Sequence, residues 1–166
     1  MQHRYVLLLG SNLEDRYMKL SQAIELLIKF GEFICKSKLY ETAAWGKQDQ
    51  PSFLNQILIL NSHYEPEQFL KLIFLIEKEL GRQREVKWGA RTMDVDILYC
   101  NSIIYNSQNL IIPHPELHNR KFTLIPLNDV DPNYLHPLIK KTNRELLAIC
   151  EDPLPVKEFL PKDTIA

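Results

Sequence analysis

The chain has 166 residues, enough for one domain that buries roughly two-thirds of its unfolded surface. Apolar residues make up 45% and charged residues 25%, the balance of an ordinary globular protein, and a formal net charge of −1 gives no global attraction to nucleic acid or an anionic membrane. Any anion site must therefore be local. Cys35, Cys100 and Cys150 are odd in number, widely spaced and without a CxxC pair, which predicts buried free thiols in a reducing compartment rather than a disulfide framework. The opening "MQHRYVLLLGSN" has too short an apolar run for a secretory leader, and no stretch approaches the ~20 apolar residues of a membrane span. A cytoplasmic protein with neither membrane nor nucleic-acid partner is expected.

In chain order, "RYVLLLG" (Arg4–Gly10) is an apolar run that predicts a central strand, ended by the turn residues Gly10, Ser11 and Asn12. From Leu13 to Phe30, Leu20, Ala23, Ile24, Leu27 and Ile28 recur at helical spacing, and Gly31 stops the helix. "FICKSKLYET" alternates like a half-buried strand, and "FLNQILILNSHY" predicts another. Glu65 and Pro66 open a second helix, "PEQFLKLIFLIEKEL", which ends at Gly81. A strand from Thr92 to Tyr99 follows, then a hairpin around "IIYNSQNLII", a short helix near "KFTLIPLNDV", and a Pro-dotted C-terminal segment. The βαββαβ order is that of a ferredoxin-like, two-layer α/β sandwich, an α+β fold with a C-terminal extension. No repeat, low-complexity tract or linker divides the chain, so residues 1–166 are expected to form a single domain.

Three loops interrupt this scheme. "AAWGKQDQPS" (Ala43–Ser52) is long and polar for a connection in a small domain, and long loops are often functional. "GRQREVKWGA" (Gly81–Ala90) concentrates Arg82, Arg84 and Lys87, with Arg91 just beyond. The third is "PHPELHNR" (Pro113–Arg120). Each taken alone is ordinary solvated surface.

The Thr92–Tyr99 strand holds a puzzle. Asp94 and Asp96 belong to a residue type poorly suited to strand interiors. Side chains alternate along a strand, so Met93, Val95 and Ile97 share one face and the aspartates the other, roughly 6–7 Å apart. A bare DxD is short and common, and a solvated edge or pairing with arginines would explain it. Against that, like charges on one face repel, and burying them unpaired is costly. A hard divalent cation such as Mg²⁺ resolves both problems and keeps positions for phosphate oxygens. Nearby arginines are well shaped to grip phosphate. Neither G-x-x-x-x-G-K-[ST] nor a kinase Gly-rich loop is present.

"KWGARTMDVDIL" closely resembles the signature of the 6-hydroxymethyl-7,8-dihydropterin pyrophosphokinase family of folate biosynthesis. "LLLGSNLEDR", "YETAAWGKQDQPSFLNQ", "IEKELGRQR" and "IPHPELHNRKFTLIPL" resemble other family segments, in order, over roughly residues 5 to 130. The resemblance implies a ferredoxin-like fold and transfer of the β,γ-diphosphoryl group of ATP to the hydroxymethyl oxygen of 6-hydroxymethyl-7,8-dihydropterin, releasing AMP. It further implies two Mg²⁺ ions held with ATP by Asp94 and Asp96, of which Asp94 also meets the pterin. Phe53 and Phe122 match the aromatic pair that sandwiches the pterin, and Asn55 matches a residue reading its amide edge. Thr42, Ala43 and Trp45 match the pocket wall. Glu77, Trp88, Arg91, Ile97, His114 and Arg120 match nucleotide-site positions, Arg82 and Arg84 a loop that closes over the phosphates, and Arg82 and Arg91 the catalytic arginines. A monomer is expected.

Ala44 stands where many relatives have proline, and Asn109 and Ile111 where some place arginine and threonine on the nucleotide; the loop from Arg84 to Trp88 is one residue shorter than in some members. Altered nucleotide affinity with unchanged chemistry is the expectation. Two other classes can be weighed. A metal-dependent phosphohydrolase would use the same DxD without a pterin. A ferredoxin-like RNA-binding module would need an aromatic RNP pattern and a basic face, which the chain lacks.

Overall fold

The computed structural model describes residues 1–12, 15–42, 52–81 and 93–162. Strand β1 (His3–Ser11) is followed by helix α1 (Arg16–Leu27), which ends in a 3-10 turn, Ile28–Phe30. Strands β2 (Glu32–Lys36), β3 (Leu39–Thr42) and β4 (Phe53–Ser62) lead to helix α2 (Pro66–Glu79) and strand β5 (Asp94–Cys100). A short hairpin of β6 (Tyr105–Asn106) and β7 (Ile111–Ile112) precedes a 3-10 turn, Leu117–Asn119. Helices α3 (Lys121–Val130) and α4 (Asn143–Ile149) and strand β8 (Val156–Phe159) complete the described elements.

The main sheet is antiparallel in the order β5-β1-β4-β3-β8, with β2 pairing β4 beyond the end of β3. β1 and β4 are buried along nearly their whole length, so both faces must be covered. On one face, Tyr5, Leu7 and Leu9 of β1 and Leu58 and Leu60 of β4 join Leu20 and Leu27 of α1 and Phe69 and Ile73 of α2 in one core. On the other, Val6, Leu8, Ile57 and Ile59 meet Leu124 and Leu127 of α3 and Leu146 of α4. The expected two layers thus gain a second helical layer from the C-terminal segment. Non-alternating runs such as "YVLLLG" demand it, because an open face would leave Val6, Leu8, Ile57 and Ile59 in water.

Local chemistry moves several expected boundaries. Helix α1 begins at Arg16 rather than Leu13, because Asp15 caps it by accepting from the Met18 N–H at 3.0 Å. "FICKSKLYET" forms two strands, not one. At the break, the Ser37 hydroxyl oxygen accepts from the Ile57 N–H at 2.9 Å, and the Gln56 amide donates to the Ser37 carbonyl at 2.8 Å. Side-chain bonds there stand beside a single backbone bond, from the Ser37 N–H to the Ile57 carbonyl at 2.9 Å, and the regular ladder stops. Helix α2 carries Pro66 at its start, and Gly81 beyond its end adopts φ 93°, the left-handed conformation that glycine supplies freely. Pro126 sits inside α3 without interrupting it. Strand β8 and helix α4 were not expected from the sequence.

Candidate active site

The sheet register assembles the site. Gly10 of β1 pairs with Asp94 of β5 on one side and Asn55 of β4 on the other, and Leu8 pairs with Asp96 and Ile57. Asp94, Gly10 and Asn55 therefore lie in one row across three strands, roughly 10 Å from end to end at ~4.8 Å per strand. Paired residues share a face, so the aspartates point to the side of Leu8, Asn55 and Ile57. Val95 and Ile97 point into the opposite core, as the alternation predicts. The alternation fails after Ile97: the ladder with β1 shifts between Val6 and Leu7, and Leu98 and Tyr99 both join the α3–α4 core.

β5 is an edge strand, and its outer polar groups are taken by neighbours. The Glu77 carboxylate of α2, 1% exposed, accepts from the Val95 N–H at 2.8 Å, between the two aspartates. The Leu98 carbonyl accepts from the His114 N–H at 3.0 Å. Between this edge, α2 and the β6–β7 hairpin lies a cleft of about 330 Å³. Asp94, Asp96, Glu77 and His114 line it where β5 meets α2, and Leu70, Phe74, Leu110 and Ile111, with Gln108 and Asn109 of the turn, line it toward the hairpin. An anionic end thus adjoins a largely apolar one.

His114 sits at the polar end. Burial pushes its pKa down to about 4; the Arg120 cation adds to this and Asp94 and Glu116 oppose it. The ring is therefore neutral at neutral pH. Its Nδ1 accepts from the Glu116 N–H at 3.1 Å, so the proton resides on Nε2, where it can donate. The Arg120 guanidinium lies over the Phe122 ring, 5.6 Å from its centroid.

Across the same row, β1 packs closely against the side chains of β4. Gly10 leaves room for them: a Cβ there would come within 2.9 Å of Asn55 Oδ1 and 3.7 Å of Phe53 Cδ1. The Asn55 side chain is buried at 3% exposure, and its Nδ2 has no hydrogen-bond partner among the described residues. A buried amide donor left without a partner costs on the order of 1–3 kcal/mol, which a ligand acceptor would recover. Phe53 and Phe122 are each only half-buried, unlike core aromatics such as Phe69. Thr42 is buried at the end of β3, its hydroxyl donating to the Pro155 carbonyl at 3.2 Å.

Of the residues singled out from sequence, the structure brings Asp94, Asp96, Glu77, Ile97 and His114 to the cleft and places Asn55 and Phe53 across the row from them. Arg120 and Phe122 stand together at the start of α3, and Thr42 pairs with Phe53. Ala43, Trp45, Arg82, Arg84, Trp88 and Arg91 lie outside the described residues, as does Ala44. Gly10, Leu70, Phe74 and Leu110 were not singled out. Gly10 could have been, since a glycine inside a strand marks close approach; Leu70, Phe74 and Leu110 are indistinguishable from core residues until α2 meets the hairpin.

The site fits a hard divalent cation. Two half-exposed carboxylates on one face supply oxygen donors, and among the described residues no group of three or more His, Cys, Asp or Glu could enclose a metal. A cation held by only two side chains keeps positions for other oxygens, the pattern of Mg²⁺ bound with phosphate.

Paired carboxylates, Glu77 and His114 share one cleft, and one sheet row joins that cleft to the buried Asn55 amide, an arrangement in keeping with a group-transferring enzyme. The family model for 7,8-dihydro-6-hydroxymethylpterin-pyrophosphokinase matches residues 6–132, and the chain belongs to that family. It is 38% identical over 157 residues to the 2-amino-4-hydroxy-6-hydroxymethyldihydropteridine pyrophosphokinase of Aquifex aeolicus, covering 95% of this chain and 90% of that one. The enzyme of the same name from Bacillus subtilis is 42% identical over 124 residues, 74% of each chain. Among solved structures, wild-type HPPK-DHPS of Plasmodium falciparum superposes with a TM-score of 0.72 at 18% identity, over 89% of this chain and 43% of that one. That likeness is one of fold. The chain is a pyrophosphokinase, a diphosphate-transferring enzyme of folate biosynthesis.

Proposed function

We propose that this chain transfers the β,γ-diphosphate of ATP to the hydroxymethyl oxygen of 6-hydroxymethyl-7,8-dihydropterin, with the nucleotide in the cleft and the pterin over Gly10. The observation that carries this reading is the row Asp94–Gly10–Asn55, which aligns the Asp94 carboxylate with a buried amide that has no partner among the described residues. The pterin ring lies between Phe53 and Phe122, with the Asn55 amide donating to its ring edge. Its hydroxymethyl group then points along the row toward Asp94.

Asp94 and Asp96 would hold two Mg²⁺ ions that come with ATP. When bound, Mg²⁺ would neutralise phosphate oxygens and favour in-line displacement. The new bond joins the pterin oxygen to the β-phosphorus; the bond from that phosphorus to the α,β-bridging oxygen breaks, AMP leaves, and the hydroxyl proton is released. Neutral His114 donates through Nε2 to a phosphate oxygen without adding charge. Arg120 lies at the same end, and Arg82, Arg84, Trp88 and Arg91 complete the phosphate and nucleotide contacts, with Arg82 and Arg91 meeting the transferring group. Thr42, Ala43 and Trp45 wall the pterin, and Glu77 and Ile97 flank the nucleotide. The core strand order β5-β1-β4-β3 with α1 and α2 on one face supports a ferredoxin-like reading of the fold. The domain spans residues 1–166 and acts as a cytoplasmic monomer.

The test is product analysis. Protein, ATP, Mg²⁺ and the hydroxymethyl-dihydropterin should give AMP and pterin diphosphate in equal amounts, and neither when one component is omitted. ADP as the main product would make the enzyme an ordinary kinase, and phosphate release without pterin a hydrolase.

A further inference from the structure

Helix α2 carries a second buried-facing acid besides Glu77. Glu67, Leu70, Phe74 and Glu77 fall at intervals of three, four and three residues, one stripe along the helix, with the two carboxylates about 15 Å apart at ~1.5 Å per residue. Glu77 grips the edge of β5 at one end of the stripe. At the other, Glu67 Oε1 accepts from the Tyr105 hydroxyl at 3.1 Å and from the Ser107 hydroxyl at 2.5 Å. Ser107 passes this bond onward. Its Oγ accepts from the Asn109 and Leu110 N–H groups at 3.3 and 3.2 Å, while its own N–H donates to the Leu110 carbonyl at 2.9 Å. These bonds close the turn between β6 and β7, adding to the pairs Tyr105–Ile112 and Asn106–Ile111 and to the packing of Leu110 and Ile112 into the core. A two-pair hairpin is marginal by itself and needs packing or side-chain support to hold one shape.

We propose that Glu67 is a positioning residue: through Ser107 it fixes the β6–β7 turn and so sets the width of the apolar end of the cleft, where the nucleobase binds. This rests on the reading that the cleft takes ATP. The turn supplies Leu110 and Ile111 to the cleft wall, and α2 supplies Leu70 and Phe74 opposite, with Phe74 41% exposed. A flat base held between such walls gains from contact only while their separation is constant. The phosphate end has its own anchor in Glu77, so losing the Glu67 latch should loosen the grip on the base and spare the grip on the phosphates.

The experiment measures steady-state kinetics of Glu67→Ala, Glu67→Gln and Ser107→Ala, inhibition of each by inorganic tripolyphosphate, and Asp96→Asn as a reference. Glu67→Ala and Ser107→Ala should raise KM for ATP about tenfold, the change expected from one lost hydrogen bond of about 1.4 kcal/mol. kcat, KM for the pterin and inhibition by tripolyphosphate should stay within about twofold of the parent. Glu67→Gln keeps an acceptor oxygen and should recover most of the ATP affinity. Unchanged KM for ATP in Glu67→Ala and Ser107→Ala would overturn the inference, as would equal weakening of ATP and tripolyphosphate. Loss of all parameters in step with melting temperature would also overturn it, by reducing the latch to a stability contact. If Glu67→Ala does not fold, Ser107→Ala alone decides. Asp96→Asn separates the two levels: if it turns over ATP normally, the reading of the cleft has failed; if it is inactive while KM for ATP is normal in Ser107→Ala, only the latch has failed.

Discussion

Gly10→Ala separates the proposed pterin site from the fold that carries it. The added Cβ would meet Asn55 Oδ1 at 2.9 Å, about 0.5 Å inside the 3.4 Å where ordinary contact begins. Its next neighbours, Phe53 Cδ1 at 3.7 Å and the Leu54 carbonyl at 3.9 Å, need no adjustment. The clash is thus with the far end of one side chain, which can turn aside. Its Nδ2 has no hydrogen-bond partner to lose among the described residues. Alanine in a strand also removes about 0.4–1 kcal/mol of unfolded-state freedom, so global stability should change by less than about 1 kcal/mol. Ligand binding should change far more. The methyl occupies the floor of that site, and the displaced amide forfeits its bonds to the pterin edge, together about 2–3 kcal/mol or roughly 30- to 150-fold in affinity. Calorimetric titration with 6-hydroxymethyl-7,8-dihydropterin and a thermal melt measure both quantities on one sample. A variant that binds pterin normally but melts far below the parent would refute the assignment of this row as the pterin floor.

Asp96→Asn keeps the side-chain shape and removes one carboxylate, so AMP formation should fall by roughly a thousandfold or more while the melting temperature changes little; an active but destabilised variant would contradict the cation site. Arg82→Ala should lower kcat far more than it weakens ATP or pterin affinity, measured by single-turnover kinetics against equilibrium titration; equal losses would place Arg82 in a preformed pocket. His136, 3% exposed, accepts from the Leu138 and Ile139 N–H groups at 3.1 Å each, and burial chiefly, with His118 adding, pushes its pKa down to about 4. Between about pH 6.5 and 4 the unfolded chain binds a proton there that the folded one refuses, so stability falls as pH drops through that window, by about 2 kcal/mol from pH 7 to 5. His136→Asn should flatten that part of the pH–melting curve; an unchanged slope would assign it to other groups.

Much of this molecule can be read before it is folded, and the rest fails for physical reasons. Helix α2 was legible because its apolar period, its opening proline and its closing glycine agree. Strand β5 and its aspartate face followed from alternation alone. The split between β2 and β3 was not, since Ser37 breaks the ladder through bonds to Gln56 and Ile57, about 20 residues away in sequence. Strand β8 is four residues long with Lys157 and Glu158 at its centre, and only pairing with β3 makes it a strand. Helix α4 did announce itself: Thr142 and Glu145 form a capping box, though seven residues give too short a period to read. In the cleft, Asp94 and Asp96 were legible from the strand pattern and Glu77, Ile97 and His114 through the family resemblance, whereas the apolar wall residues Leu70, Phe74 and Leu110 were not. Leu70 and Phe74 are two more apolar helix positions until the hairpin arrives opposite them, and Glu67 is one more helix acid until Ser107 reaches it.

The position of β5 explains why a strand here tolerates two aspartates. In the sheet interior, carboxylates at these positions would face a packed layer with no route to water, and their desolvation would oppose folding. At the edge they stay half-exposed while Val95 and Ile97 on the other face remain in the core. An edge carries the opposite hazard, a free row of backbone groups able to pair with another chain. Glu77 takes the Val95 N–H, and the Leu98 carbonyl takes the His114 N–H, so the same contacts that close the edge build the walls of the cleft. Charge at the edge keeps the strand solvated, the strand keeps the charges on one face, and α2 holds the strand by a carboxylate set between them. Removing Glu77 should therefore disturb both aspartates together, which no substitution confined to one of them can do.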